Sequence, residues 1–580
     1  MKVRLHSIIL FLFFCCWTPT LKAQDMKLIT IFEQTGGQET PTYQQVIDYF
    51  SLLAQAFPEI HIQEIGMTDA GLPLHLVTWN ADGLFHFDEI RKTKRILLIN
   101  NGIHPGEPDG IDATMLLFRD LAQGKMKVPK HTVLATIPVY NIGGCLNRNS
   151  ETRANQNGPK AYGFRGNARN YDLNRDFVKA DSKNAAAFAK IFHLVQPDVF
   201  VDNHVSNGAD YQYVLTHLFT QHNKLGGELG EFLHRKMIPE LEASLAAKHW
   251  DITPYVNVFN QKPESGFEQF LDSPRYSTGY ATLWNTLGMM VETHMLKPYS
   301  ERVLGNYELM KEMIDFIDLH GEEIRVLRRT AFAKNRTQKT YTLRWEVDDS
   351  KQTVFPFKGY EADWVTSAVT GQKRLKYDRS RPFVKEVVFQ NYYKPALTVS
   401  VPKAYIIPQG WWNIIQKMKD NRVQMSRLEN DSLMEVESYR IEDVQTVERP
   451  FEGHYLHTQV AVSAKMGKVL FRKGDYLIET NQPAFRYIME VLEPQGPDSF
   501  FAWNYFDTVL AQKEHFSPYI FEDFAWELLQ NDAELKSAFG AKKEQEKDFA
   551  NNWYAQLEWI FQHSKFYEKA HRLYPVFRVL

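Results

Sequence analysis

The chain is poor in cysteine, with only three among its 580 residues. Cys15 and Cys16 are adjacent near the N-terminus, and Cys145 stands alone. If the N-terminal segment is removed on export, a single cysteine remains, which excludes a disulfide within one mature chain. We therefore expect the fold to be stabilised by its hydrophobic core, which a chain of this length can supply.

A strong charge of either sign is also lacking. The 67 Lys and Arg residues nearly balance the 70 Asp and Glu residues, and the formal net charge is −3. Nucleic-acid binding, which requires a basic surface, is therefore not indicated. Beyond the N-terminus, no apolar run approaches the roughly 20 residues that are needed to span a bilayer.

Residues 1–23 have the pattern of a signal peptide. Two basic residues precede an apolar run over residues 8–17, and the small residue Ala23 follows a few positions later. This run is shorter than a membrane span, so it predicts a cleaved secretory signal, with an uncleaved anchor as the alternative. We expect an exported protein, periplasmic or extracellular, with no membrane span after signal removal.

Residues 24–330 alternate short apolar strands with amphipathic helices. The predicted strands include PLHLVTW, RILLIN, TVLATIPVY, DVFVDNH and LGMMVETH. This alternation is typical of a mixed, mostly parallel sheet flanked by helices, in which sites form at the carboxyl ends of the strands. A helical pattern over residues 42–57 already leads into the sheet, so we expect one domain without a preceding pro-segment.

Residues 331–580 form a second region. A predicted helix over residues 300–329 is followed by the polar stretch AKNRTQKT, which indicates a domain boundary. Strands such as TYTLRWEV and KEVVFQNYY then dominate, and a helical tail begins near residue 520. We predict an accessory β-rich and α+β region, whose role no motif indicates.

Only one of four His-x-x-Glu pairs has the context of a metal site. The four pairs are His61/Glu64, His86/Glu89, His104/Glu107 and His320/Glu323. His104 and Glu107 follow the buried strand RILLIN in a turn rich in Pro and Gly. Zinc binds imidazole nitrogen and carboxylate oxygen, and a catalytic zinc has three protein ligands and a position for water. His204, at the end of DVFVDNH, is the candidate third ligand, although alone it would suit a structural role.

Two further segments complete a recognisable order of motifs. The segment NARNYDLNRDF, residues 167–177, contains an Asn-Arg pair, and Glu292 lies near the end of the strand LGMMVETH. Together with His104/Glu107 and His204, these segments resemble the zinc metallocarboxypeptidases of the carboxypeptidase A type. The motifs span residues 104–292, the resemblance covers about half of the chain, and it implies a carboxypeptidase-like α/β fold.

The resemblance implies one zinc ion per chain, bound by His104, Glu107 and His204. It implies that Asn174 and Arg175 bind the carboxylate at the free C-terminus of a peptide. A guanidinium group suits this task because its planar fork matches the two oxygens of a carboxylate.

Two carboxylates also receive roles from the resemblance. Asp172 would orient the first zinc-binding histidine, and Glu292 would take a proton from the zinc-activated water and pass it to the leaving amine. Without the surrounding motifs, Arg175 would suit an ion pair with Asp172 or Asp176, and Glu292 an ion pair with Lys297.

Two roles have several candidates. The family stabilises the tetrahedral oxygen with an arginine upstream of the Asn-Arg pair, and we favour Arg165 over Arg153. The remaining upstream arginines, expected to be surface charges or loop anchors, are Arg148 and Arg169. Tyr276 and Tyr280 could each cover the substrate, with Tyr280 as the assigned candidate, and Arg275 could add a carboxylate contact.

The predicted function is zinc-dependent removal of C-terminal residues from peptides. Alternatives on the same site are deacylation of small acyl amino acids, disfavoured by the signal and by Arg175, and trimming of cell-wall peptides. A protein that binds without reaction is a further alternative. It is disfavoured because all the metal ligands and Glu292 are present.

Overall fold

The computed structural model describes residues 28–580, so the predicted signal peptide lies outside the described residues. The helices and strands of the first half follow in chain order. They are α1 (Ile31–Gln34), α2 (Tyr43–Ala56), β1 (Ile60–Met67), β2 (Pro73–Trp79), α3 (Phe87–Thr93), β3 (Arg95–Asn100), α4 (Asp109–Ala122), β4 (Thr132–Ile137), α5 (Ile142–Leu146), α6 (Lys183–Val195), β5 (Val199–Ser206), β6 (Leu215–Phe219), α7 (His222–Leu225), α8 (Gly227–Phe232), α9 (Ile238–Ala247), β7 (Ile252–Pro254), β8 (Phe267–Glu268), α10 (Ser277–Thr282), β9 (Leu287–His294) and α11 (Tyr299–Asn335).

Within the described residues, the first half is built around an eight-stranded sheet of order β1-β2-β4-β3-β5-β9-β6-β7. Strands β4, β3, β5 and β9 are parallel neighbours, whereas β1, β2 and β6 join antiparallel. Every residue of β3, β4 and β5 is buried, as expected for parallel strands covered on both faces. The predicted mixed, mostly parallel α/β fold is thus confirmed.

Helices flank this sheet, and their ends follow local sequence signals. Helix α2 begins at a capping box, in which the side chains of Thr42 and Gln45 each accept a hydrogen bond from the other residue's backbone N–H. Helix α4 packs on α11, and its Gly110 faces β5 so closely that a Cβ atom would lie 2.4 Å from Cβ of Asn203. A larger residue at position 110 would therefore push α4 away from the strand that carries His204.

The second half contains the remaining elements. They are β10 (Thr340–Val347), β11 (Thr353–Thr366), β12 (Lys373–Gln390), β13 (Tyr393–Ser400), β14 (Ala404–Ile407), α12 (Trp412–Asp420), β15 (Ser426–Arg427), β16 (Ser432–Thr446), β17 (His457–Phe471), β18 (Tyr476–Glu479), α13 (Phe485–Leu492), α14 (Pro518–Asn531), α15 (Ala533–Gln545), α16 (Lys547–Ala550), α17 (Trp553–Gln562) and β19 (Phe577–Val579). In this part of the chain, β14 to β19 form a six-stranded sheet, β10 pairs with β13, and β11 and β12 form a long hairpin.

The two halves share one continuous hydrophobic core. Strand β8 of the first half adds to the β11–β12 hairpin, where Phe267 pairs with Phe389. Trp284 stacks on Tyr487 at a centroid distance of 5.8 Å. The predicted boundary at residue 330 lies within the last turns of α11, and the division into two domains stays a prediction.

Within residues 28–580, no helix combines the length and the apolar character that crossing a membrane requires.

Candidate active site

Three neighbouring parallel strands deliver the predicted site to one edge of the sheet. His104 and Glu107 lie in the loop between β3 and α4, directly after the strand ends. His204 lies near the end of β5, and its backbone is in register with that of Glu292 on the adjacent strand β9. Because these strand ends adjoin, residues up to 188 positions apart in sequence, as Glu292 is from His104, converge on one cleft.

The three predicted zinc ligands form one cluster. Their donor atoms all lie within 4.8 Å of one another. Nδ1 of His104 is 3.3 Å from Oε2 of Glu107, and Nδ1 of His204 is 3.2 Å from the same oxygen. Each of the three residues is at most 3% exposed. The cluster is thus arranged as a site for a cation between two imidazoles and one carboxylate.

An aspartate lies beside the Nε2 atom of each imidazole, on the side of the ring that faces away from Glu107. Nε2 of His104 lies 2.9 Å from Oδ1 of Asp172, and Nε2 of His204 lies 2.9 Å from Oδ2 of Asp202. Metal-binding histidines usually carry such a partner, which orients the ring and leaves the other nitrogen for the ion. Both Nδ1 atoms therefore face the space beside Glu107.

The charges of the cluster favour a bound cation. Burial alone would raise the pKa of Glu107, but Arg153, His104 and His204 hold it well below its usual range. Burial alone would lower the pKa of His204, but Asp202 and Glu107 raise it well above its usual value. A metal ion competes with protons for such donors. Two imidazole nitrogens and a carboxylate oxygen are a donor set that fits zinc.

Glu292 borders the cleft without belonging to the ligand cluster. Its side chain is partly exposed, and within residues 28–580 no group donates a hydrogen bond to its carboxylate. Burial, with a further contribution from the negative Glu107, raises the pKa of Glu292 to about 7. A carboxylate with this pKa can both accept and release a proton near neutral pH.

The Asn-Arg pair lies on a short 3₁₀ turn, Leu173–Arg175, that borders the cleft. Asp172 begins the turn by accepting a hydrogen bond of 2.9 Å from the N–H of Asn174. The guanidinium group of Arg175 lies over the ring of Tyr276, 4.6 Å from its centroid, and Nη1 donates to the carbonyl of Asn174. The amide oxygen of Asn174 accepts from the N–H of Ser277 at 3.2 Å, which leaves its nitrogen as a donor toward the cleft.

Both candidate arginines for the tetrahedral oxygen line the cleft. Nη1 of Arg153 donates to Oε1 of Glu107 at 2.8 Å, whereas Nε of Arg165 donates to Oδ2 of Asp172 at 3.0 Å. The side chain of Arg165 is 43% exposed and that of Arg153 only 20%, so Arg165 has more freedom to reach a substrate. Arg148 and Arg169, as expected, bond to backbone carbonyls elsewhere.

The structure corrects the assignment of Tyr280. Its side chain is 1% exposed, and its hydroxyl donates to Oδ1 of Asn421 at 2.6 Å, away from the cleft. Helix α10 directs this ring toward Phe188 and Phe192, and the three rings pack together as an aromatic cluster. Tyr276, which precedes the helix, lines the cleft instead.

Arg275 is likewise unavailable for substrate. Its Nε donates to Oδ1 of Asp498 at 2.6 Å, and its guanidinium lies 4.8 Å from the ring centroid of Trp503. This arginine therefore anchors the second half of the chain beside the cleft.

Sequence reasoning missed an apolar wall of the cleft. A cavity of about 280 Å³ lies beside the ligands and Arg175. Its large apolar and aromatic lining residues are Leu218, Tyr255, Phe259, Phe270, Tyr276 and Met290. Glu107 and Glu292 are the only acidic residues that line it within the described part of the chain.

Sequence reasoning also missed two acidic residues near the site. Asp202 precedes His204 by two positions on one strand, and this period-two spacing puts both side chains on one face, so the signal was present. Glu452 comes from the second half, and its Oε2 accepts a hydrogen bond of 2.8 Å from the N–H of Asp172. No sequence signal connects Glu452 with a residue 280 positions away.

The loop that carries Glu452 is fastened to the first half. Phe451 and His454 close its turn by backbone hydrogen bonds, and Nε2 of His454 lies 2.6 Å from Oδ2 of Asp181. The second half thereby contacts the segment that holds Asp172 and Arg175.

Two histidines and a glutamate that could hold a cation, with a further glutamate of raised pKa beside them, are the arrangement expected of a zinc hydrolase. Residues 46–195 match the family model described as zinc carboxypeptidase. This match covers His104, Glu107 and the Asn-Arg pair and ends before His204. The match confirms the resemblance predicted from the motifs, and it supports an enzyme of the zinc metallocarboxypeptidase class.

Curated relatives and solved structures carry related names. Carboxypeptidase 2 of Trichophyton rubrum is 22% identical over 431 residues, which are 69% of this chain and 72% of the relative. Among solved structures, a putative carboxypeptidase A from Shewanella denitrificans OS-217 is 18% identical, with 47% of this chain and 69% of that chain covered and a TM-score of 0.35. For carboxypeptidase A from Helicoverpa armigera, the identity is 13%, the coverages 47% and 73%, and the TM-score 0.35.

Proposed function

We propose that this enzyme removes single residues from the C-termini of peptides, with one zinc ion bound by His104, Glu107 and His204. The observation that carries the proposal is the position of Arg175. Its guanidinium fork lines the same small cavity as the three metal donors and Glu292. A peptide whose terminal carboxylate bonds Arg175 would therefore present its last peptide bond to the metal cluster.

Bound in this donor set, zinc would acidify a water molecule and polarise the scissile carbonyl. Glu292 is suited to accept a proton from a water molecule in the cleft, because within residues 28–580 no group donates a hydrogen bond to its carboxylate and its pKa lies near neutrality. The same carboxyl then donates the proton to the leaving amine. Asp172 and Asp202 keep both imidazole rings in the orientation that presents Nδ1 to the ion.

Arg175 and Asn174 bind the terminal carboxylate, and Arg165 stabilises the oxygen of the tetrahedral intermediate. Arg165 is favoured over Arg153 because Arg153 already donates directly to the metal ligand Glu107. Tyr276 supports Arg175 through its ring face and replaces Tyr280 as the tyrosine at the substrate.

The lining of the cavity supports an apolar or aromatic side chain at the cleaved residue. Leu218, Phe270 and Met290 provide apolar surface near the Asn-Arg pair. A basic side chain would need an acidic partner there, and the carboxylates of Glu107 and Glu292 serve the metal and the proton transfer. Burying Lys or Arg without a partner is costly.

We further propose that the enzyme acts outside the cytoplasm and that residues 331–580 complete its cleft. The N-terminal signal pattern supports export. The contacts of Glu452 with Asp172 and of Asp498 with Arg275 support a direct role of the second half at the rim of the site. Cell-wall peptides with a free C-terminus would be substrates of the same kind as other peptides.

The test uses pairs of synthetic peptides that differ only in a free or amidated C-terminus. Mass spectrometry should show loss of the last residue from the free peptide, faster for C-terminal Phe or Leu than for Lys, and no change in the amidated peptide. Equal cleavage of both forms would contradict terminal carboxylate recognition. Turnover of acyl amino acids but of no peptide would favour the deacylase alternative.

A further inference from the structure

A second cavity, of about 750 Å³, lies at the opposite end of the central strands from the zinc cleft. Its wall includes Arg95, the first residue of β3, and Asp198, which precedes β5. Strand β3 is six residues long, and at about 3.3 Å per residue it separates this cavity from the metal donors by roughly 20 Å. The cavity is therefore distinct from the catalytic cleft.

The cavity is unusually rich in guanidinium groups. The arginines in its wall are Arg91, Arg95, Arg325, Arg328, Arg329 and Arg422. They come from α3, β3, α11 and the turn after α12, so no single helix face accounts for them. Four separate parts of the chain thus converge to place positive charge in one space.

The nearby carboxylates do not balance these cations. Asp198 is the only acidic residue in the wall within the described chain, and it already accepts from the N–H of Ile96 at 2.9 Å and from Arg328 at 2.5 Å. Asp88 and Glu322 pair with Arg91 and Arg325 at its margin. Six guanidinium groups therefore meet three carboxylates.

Two of the arginines leave their guanidinium groups available. Arg329 and Arg422 are exposed, and within residues 28–580 neither guanidinium group donates a hydrogen bond or lies within 4.0 Å of a carboxylate oxygen. The buried Arg95 has a lowered pKa, caused first by burial and further by Arg325 and Arg328. Like charges held this close repel one another unless an anion lies between them.

The rest of the wall combines aromatic side chains with polar ones such as Gln196 and Gln424. Phe192, Trp284 and Phe332 contribute aromatic surface. Trp284 is 7% exposed, so most of its indole ring lies beneath the surface of this wall.

We propose that this cavity binds an organic anion that carries two or more phosphate groups and an aromatic portion. Guanidinium forks match the geometry of phosphate oxygens, and several together supply the charge for more than one phosphate. The aromatic side chains of the wall pack on the non-polar part of the ligand.

The ligand also joins the two halves of the chain. Arg422, Gln424 and Pro483 belong to the second half, whereas the other arginines belong to the first. Binding should therefore raise the unfolding temperature as well as give a titration signal.

The test is isothermal titration of the full-length mature enzyme, loaded with zinc, with ADP and with pyrophosphate. We expect saturable binding of both, tighter for ADP because of its aromatic ring. The double variant Arg329→Gln/Arg422→Gln should bind about tenfold more weakly or worse, since each lost contact is a charge-assisted hydrogen bond. Arg374→Gln, the same change at an exposed position of β12, should leave binding unchanged.

Two results would overturn the proposal. One is the absence of saturable binding at ligand concentrations on the order of a few millimolar. The other is equal affinity of the double variant and the wild type, which would place the anion elsewhere, for example at the zinc. Arg329→Lys/Arg422→Lys keeps the charge and loses the fork, and intermediate affinity is expected of it. Peptidase activity enters none of these measurements, so they stand apart from the proposed function.

Discussion

His204 and His193 are both buried histidines of the first half, and their pKa values move in opposite directions. The pKa of His204 lies well above its usual value, because Asp202 and Glu107 outweigh the effect of burial. Burial lowers the pKa of His193 to about 4, and Arg422 contributes in the same direction. The charge of the neighbours, and not burial alone, decides which form of a buried imidazole is stable.

The same contrast extends to the two ends of the sheet. Carboxylates surround the imidazoles at the carboxyl ends of the strands, whereas arginines collect at the amino ends. The side chains at the carboxyl ends of the strands suit a cation, and those at the amino ends suit an anion. Each end also includes a residue of the second half, Glu452 at the first and Arg422 at the second.

The largest effect is expected from Glu292→Gln, which removes the proposed proton acceptor of the zinc cleft. Turnover should fall by about 100- to 10,000-fold, the usual contribution of a general acid–base group. Zinc content, measured by mass spectrometry of the metal, should stay the same because Glu292 is not a ligand. Glu346→Gln, the same change at an exposed position of β10, should keep full activity. Normal turnover of Glu292→Gln would assign the base elsewhere.

Asp202→Asn directly tests the contrast between the pKa values of His204 and His193. Without this carboxylate, His204 loses the main cause of its raised pKa and the partner that orients its ring. The affinity for zinc should fall by about 10- to 100-fold, as measured by competition with a chelator. Asp443→Asn, on the surface of β16, is the matched control. An unaltered zinc affinity would show that the ring needs no such partner.

His193→Phe tests the other side of the contrast, the lowered pKa of His193. The measured quantity is the free energy of unfolding as a function of pH. His193 is neutral when folded, with a pKa of about 4, and its usual value is 6.5. The unfolded chain therefore binds a proton between these values, and the wild type loses stability as the pH falls below 6.5. At pH 5 the loss relative to His193→Phe should be about 2 kcal/mol. If the free energies of unfolding of the two proteins changed equally from pH 7 to pH 5, this prediction would be contradicted.

The smallest effect is expected from Glu452→Ala. This change removes the residue of the second half that contacts the zinc-cleft edge of the sheet. The N–H of Asp172 loses a charged acceptor, and the turn that carries Arg175 becomes less well positioned. The KM for peptides should rise about three- to tenfold, with zinc content unchanged. Glu452→Gln keeps an oxygen acceptor and should restore most of the loss. Equal KM values for all three proteins would mean that Glu452 does not position the turn.

The parts of this molecule that are local in sequence could be predicted. The strand RILLIN coincides with β3, and the helical pattern over residues 42–57 with α2. His104, Glu107 and His204 were identified because each follows or ends a buried strand, and parallel strands bring their ends together. The zinc cluster could thus be predicted from the strand ends together with the resemblance of the motifs to a known family.

Features that depend on side-chain direction or on distant packing could not be predicted. Tyr276 and Tyr280 are four residues apart, and only the start of α10 decides which ring faces the cleft and which the core. The arginines of the second cavity are spread from Arg91 to Arg422, and no period or spacing connects them. Glu452 lies in a loop of the accessory region, which carries no motif.

The hydrogen bond between Asp172 and Glu452 has a consequence for the time at which the carboxylate-binding turn is fastened during synthesis. Its two partners are 280 positions apart in the chain. At a synthesis rate of about 5 to 20 residues per second, roughly 15 to 60 s pass between the appearance of the first partner and the second. Once His204 has been made, the nascent chain contains all three candidate metal ligands but still lacks the residue that fastens the carboxylate-binding turn. The carboxylate-binding turn is therefore fastened only after most of the chain has been made.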